Sequence, residues 1–283
     1  MSAEPGPSST PRARELWTRQ VVAVLRIELR KNFWGTRAIP LYLLCLGPVL
    51  LLAGRALVLW QGWAREDPAA AAVFYANIYQ SFLLRFVLFF GCAWIFTNLF
   101  RGEILDRTLH FYFLSPIRRE VLVVAKFAAG LFASAAFFVA TTAATLVLLF
   151  APYGASAALD RLLGSTGIGS TAAYLGVTAL GCLGYGAVFL ATGLLVRNPM
   201  IPAIAILGWE SINFLLPPLL KKLSVIYYLV SLCPLPVSQG PIALMAEPTP
   251  AWISVPGLLA LTAAVLLLAR WRIRGTEISY LTD

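Results

Sequence analysis

Two ionisable side chains interrupt apolar runs of this sequence. Arg85 lies in "SFLLRFVLFF" and Glu210 in "GWESINF", with Asn213 three residues further on. A charged side chain near the centre of a bilayer costs at least about 2.5 kcal/mol, so such groups face protein or a water-filled cavity. Two chemistries follow. An interhelical ion pair would neutralise both charges; their expected depths differ by roughly 8 Å at 1.5 Å per residue, which an arginine largely bridges. Alternatively, Glu210 lines a translocation route with Trp209 and Asn213 nearby. The cost of leaving either charge alone favours the pair.

A second concentration of chemistry is the interval Arg101 to Lys126, "RGEILDRTLHFYFLSPIRREVLVVAK", with five basic and three acidic side chains. Its charges surround Ile104, Leu105, Leu109, Phe111, Phe113 and Leu114, and Ser115-Pro116 ends the segment. Apolar positions inside a charged rim are the anatomy of a docking patch. The plainer reading is a solvated connector, but it would leave those apolar side chains in water. Lys126 is expected just inside the following helix, with its ammonium snorkelling back.

Other chemistries are excluded. There is no G-x-x-x-x-G-K-[ST] phosphate cradle, and no Gly-Lys pair at all. The single histidine, His110, rules out a histidine-rich metal site and any plausible Ser/His/Asp arrangement. No Cys-x-x-Cys occurs. Of four cysteines, Cys45, Cys92 and Cys182 lie in apolar runs as small hydrophobes and only Cys233 lies outside one, so no disulfide framework is implied.

The elements that must position these groups are helices in a membrane. The chain has 283 residues, 59% hydrophobic and only 12% charged, about half the charged fraction usual in soluble domains. Mean hydropathy is +0.79. The fold class expected is an all-α integral membrane protein with six spans, at about 38–60, 77–100, 121–150, 170–196, 200–220 and 251–269. The run 223–233, "LSVIYYLVSLC", is too short to cross and reads as a re-entrant or interfacial element between flanking prolines. "MSAEPGPSST" is not a signal peptide; residues 1–11 read as a disordered tail. Glycines 176, 181, 184, 186 and 193 in the fourth span either permit close helix approach or reflect ordinary glycine usage. Trp60, Trp63, Phe74, Tyr75, Tyr79, Tyr227, Tyr228 and Trp252 are expected to form an outer aromatic belt.

Charge orients the chain. With six spans, one side holds Arg12, Arg14, Arg19, Arg26, Arg30, Lys31, Arg37, Arg101, Arg107, Arg118, Arg119, Lys126, Arg197, Arg270, Arg272 and Arg274, sixteen of the 22 basic residues. The other side holds Arg55, Arg65, Arg161, Lys221 and Lys222. The positive-inside rule places both termini and the charged interval in the cytoplasm. Residues 12–37 read as a basic amphipathic helix, because Arg12, Arg19, Arg26, Arg30 and Arg37 fall within about 40° of one another on a helical wheel. Such a helix suits the membrane interface, its arginines toward lipid phosphates; the alternative is a helix packed on another subunit. Glu28 breaks the stripe and requires a partner, such as a basic residue of a neighbouring helix.

The pattern E-x-x-D-R-T-L-x-F-x-F-L-S-P-I-R-R-E-x-x-x-x-x-K over 103–126 resembles the segment after the second span in ABC-2 type transporter permeases. Glu103, Thr108-Leu109, Phe113-Leu114, Pro116-Ile117-Arg118 and Lys126 carry the resemblance, and "RIELRKNFWGTR" is similar to that family's interfacial helix. The resemblance implies a domain plan of interfacial helix 12–37 followed by a six-span domain 38–283 with a cytoplasmic coupling loop at 101–120. Glu103, Ile104, Arg107, Thr108, Leu109, Phe113, Leu114, Pro116, Arg118 and Arg119 would engage a separate ATPase subunit. ATP and magnesium would bind that subunit, leaving this chain non-catalytic and without a cofactor. A second permease, identical or similar, would complete an exporter in a prokaryotic cytoplasmic membrane, with no nucleic-acid partner. The rival readings are a secondary transporter and a membrane anchor for a cytoplasmic enzyme.

Overall fold

The computed structural model describes residues 22, 25–64, 66–105, 119–165, 167–196, 200–237 and 249–274. All regular structure among them is helical. Among the described residues α1 (25–34) comes first, then a 3-10 turn (Thr36–Ala38) and α2 (Ile39–Trp60). Then come α3 (Pro68–Ile78), a π-helical stretch (Tyr79–Leu88) and α4 (Phe89–Leu105), which form one long rod. α5 (Arg119–Phe150), α6 (Ala155–Leu163) and α7 (Gly167–Leu195) come next. The last part contains α8 (Met200–Ser211), α9 (Pro218–Lys221), α10 (Val225–Ser231) and α11 (Ala251–Arg274).

Among the described residues five helical stretches are long and apolar enough to cross a bilayer: Ile39–Trp60, Pro68–Leu99, Val123–Tyr153, Gly167–Leu195 and Ala251–Trp271. The span expected at 200–220 is not one helix. α8 stops at Ser211 after 12 residues, about 18 Å, well short of a hydrocarbon core about 30 Å thick. A 3-10 turn (Asn213–Leu215) and the four-residue α9 follow. Pro217 and Pro218 explain the break: neither has an amide to donate, and each pushes its predecessor out of the α region. The short helix expected within 223–233 is present as α10.

α7 is the hub, packed on α4, α5 and α11. Four of its five singled-out glycines sit at close approaches. A Cβ at Gly193 would lie 3.1 Å from the Thr97 Cα, and Gly181, Gly184 and Gly186 face Leu88, Val225 and Phe96. Gly176 has nothing within 4 Å, so at that position the glycine serves no close contact.

The aromatic belt is only partly as expected. Trp60, Trp63 and Trp252 are strongly exposed, but Tyr75 and Tyr79 are fully buried. Their hydroxyls explain this. Tyr75 shares a hydrogen bond with Thr145 (3.0 Å), and Tyr79 donates to the Tyr174 carbonyl (2.9 Å) and meets Thr178 (2.9 Å). A tyrosine whose hydroxyl has a protein partner has no need of the water interface.

Candidate functional site

The first polar centre joins three elements at the ends that flank residues 106–118. Lys126, seven residues into α5, is completely buried, and its Nζ donates to Glu28 Oε1 of α1 at 3.0 Å and to the Leu99 carbonyl of α4 at 2.7 Å. Glu28 is 4% exposed, with Lys31 at 3.8 Å on its own helix. The partner that Glu28 required is therefore Lys126, and the snorkelling expected of Lys126 does not occur. A buried cation without water is tolerable only when paired and hydrogen-bonded, and here a carboxylate and the Leu99 carbonyl of α4 supply both.

α1 is fastened at a second point. Phe33 stacks on Phe137 (4.9 Å), and Tyr42 donates to the Phe33 carbonyl (3.2 Å). Lys126 and Phe137 are eleven residues apart on α5, about 16 Å of helix. α1 is thus docked on its own chain while Arg26 and Arg30 remain exposed. Ile27 and Trp34 of α1 remain exposed as well. Arg37 lies in the 3-10 turn (Thr36–Ala38), and Arg12 and Arg19 lie outside the described residues.

Of the docking segment, Glu103 and Ile104 belong to the last turn of α4, and Arg119 begins α5. Arg107, Thr108, Leu109, Phe113, Leu114, Pro116 and Arg118 lie outside the described residues. What can be placed is the frame on which the segment is hung, and that frame is the Lys126 junction.

The second polar centre surrounds Glu210. Its Oε2 accepts from Ser224 Oγ (2.8 Å), the Ile226 amide (2.9 Å) and the Tyr185 hydroxyl (3.3 Å), and its Oε1 accepts from the Val225 amide (3.0 Å). The expected ion pair with Arg85 is not among these contacts. The reason is local: α10 begins beside Glu210, and its unmatched first-turn amides are closer donors. Arg85 sits in the π-helical stretch, within electrostatic reach of Tyr185. The wider turn of a π-helix rotates side chains away from α-helical register. Asn213 is buried and reaches the Lys221 carbonyl at 3.4 Å, closing the loop between α8 and α10.

A third polar contact was not anticipated. Arg55 of α2 pairs with Glu66 (2.7 Å), reaches the Leu149 carbonyl (3.3 Å) and lies 5.3 Å from the centre of the Phe74 ring. Pro68, two residues beyond Glu66, marks the turn, but nothing in the sequence identifies the partner.

Among the described residues no three His, Cys, Asp or Glu side chains gather to hold a metal. Both polar centres join separate helices through buried charge, an arrangement suited to positioning and moving helices. No protein-family model matches this chain, and no curated protein matches it.

Proposed function

We propose that this chain is the membrane subunit of an ATP-driven transporter of the ABC-2 type, most simply an exporter, that converts closure of a separate ATPase subunit into helix movement. The observation that supports it most is the Lys126 junction. It ties α1, the end of α4 and the start of α5 into one rigid corner, from which the docking segment 101–120 is suspended. A push on that segment would reach both rods directly, as rigid-body movement requires. ATP and magnesium belong to the partner. The chain crosses the membrane six times in this reading, with 200–231 as a broken fifth crossing. Both termini lie in the cytoplasm, and a second permease chain completes the assembly.

The test is association. Deleting Ile104 to Pro116 is expected to abolish co-purification with a soluble ATPase subunit while leaving membrane insertion intact. Undiminished co-purification would overturn the assignment.

One observation favours a second reading. A helix broken inside the membrane beside a buried carboxylate is a common design of secondary transporters. That reading predicts transport driven by an ion gradient with no ATPase partner. Reconstitution of the chain alone in vesicles, with and without a proton gradient, separates the two.

A further inference from the structure

The break between α8 and α10 lies within the length of the neighbouring spans, and two lysines stand in it. Gly184 of α7, which packs on Val225, is about 16 Å from the Leu195 end of its helix and about 26 Å from the Gly167 end. Gly257 of α11, which faces the Tyr228 ring, is about 9 Å from the Ala251 end of its span and about 21 Å from the Trp271 end. Tyr228 donates to the Lys222 carbonyl (2.9 Å) and Asn213 to the Lys221 carbonyl (3.4 Å), so the backbone of both lysines is held at this level. A four-carbon stem reaches about 6 Å, so snorkelling stops short of even the nearest end. Charge counting groups Lys221 and Lys222 with the outer surface; by depth they belong to neither surface.

Among the described residues nothing neutralises them. Lys222 is exposed and Lys221 half-buried, and neither ammonium has a carboxylate within ion-pair distance. The described acid at this level is Glu210, and its two oxygens already take four hydrogen bonds. A second copy of the chain would bring the same occupied carboxylate, so the counter-charge has to come from a different molecule. Around the lysines, Leu215, Leu219 and Leu223 are 59%, 80% and 59% exposed. Cations inside a membrane face protein, water or an anion. Cations set among bare leucines match a molecule with an acidic head and hydrocarbon tails, because both of its parts find a partner there.

We propose that Lys221 and Lys222 bind the phosphate headgroup of one anionic phospholipid of the surrounding bilayer. The lipid is drawn inward at the break between α8 and α10, with its acyl chains along Leu215, Leu219 and Leu223. Each ammonium offers three N–H donors to the phosphate oxygens, and such charge-assisted bonds are strongest where water is scarce. The site goes beyond the transporter reading and holds whatever the chain moves.

The purified full-length chain in a neutral detergent is titrated with dioleoylphosphatidylglycerol or dioleoylphosphatidylcholine, and bound lipids are counted by native mass spectrometry. The two lipids share their tails and differ in net charge. The first phosphatidylglycerol is expected to bind at least about tenfold more tightly than the first phosphatidylcholine, the effect of one or more charge-assisted hydrogen bonds. Lys221→Gln combined with Lys222→Gln should bring phosphatidylglycerol down to the phosphatidylcholine level and leave phosphatidylcholine unchanged. Arg26→Gln combined with Arg30→Gln, which removes as much charge from α1, should keep the preference. A wild-type chain with no preference overturns the site, and so does a preference that survives in the lysine variant. Loss of the preference in the arginine variant as well also overturns it, because net charge rather than position then governs binding. Both lipids weakening together in the lysine variant counts against it as general loosening. A wild-type dimer that becomes monomeric in the lysine variant, with no lipid preference, assigns the lysines to a second copy instead. If the double lysine variant does not fold, Lys222→Gln, at the exposed position, decides alone, and an unchanged preference there overturns the proposal.

Discussion

Lys126 shows how one side chain can govern a junction. With the ammonium fully buried, Glu28→Gln leaves it without this counter-charge, and Lys126→Met leaves the carboxylate only Lys31, at 3.8 Å. Each change is expected to destabilise the detergent-solubilised protein by about 3–5 kcal/mol, the cost of breaking a buried pair. Glu28→Gln combined with Lys126→Met removes both charges and should recover much of that loss. Melting temperatures of the two single variants and the double check this. Strictly additive losses would show that the two residues act independently. Glu210 is a contrasting case, since its partners are backbone amides and hydroxyls that remain neutral. Removing Arg85 should therefore give no compensating recovery in a Glu210→Gln background.

At the scale of elements, contact between α4 and α7 depends on small side chains. The Gly193 Cα faces the backbone of Thr97, which cannot move aside as a flexible side chain would. Gly193→Val is expected to force the helices apart and to cost about 1–3 kcal/mol, the usual penalty of overpacking. Gly176→Ala, on the same helix but open to its surroundings, should leave thermal stability within about 0.5 kcal/mol or raise it slightly. A paired thermal melt in one detergent tests both. Equal losses would mean that helix propensity, rather than close approach, decides what α7 tolerates.

For the whole molecule, orientation is the open quantity that charge most strongly constrains. A cysteine introduced at Ser8 or Thr276 should be labelled by an impermeant maleimide only from the cytoplasmic side. One introduced at Ser156, exposed on α6, should be labelled only from outside. Labelling of position 276 from outside would mean an odd number of crossings, with the stretch from α8 to α10 returning to the side where α8 began.

The sequence by itself determined the solvent in which this protein folds. Its low charge and long apolar runs require helices in hydrocarbon, because only closed backbone hydrogen bonding is tolerated there. It also determined that Glu28 needed a partner and that the run 223–233, framed by prolines, was too short to cross. Only the tertiary structure decided which cation served Glu28, since Lys126 is 98 residues away and no local pattern links them. It also redirected Glu210 from Arg85 to the amides of α10, buried Tyr75 and Tyr79 against threonines, and divided the expected 200–220 span. In each case periodicity along the chain shows which groups must be satisfied. Which donor or acceptor satisfies them depends on distances set by packing between helices remote in sequence.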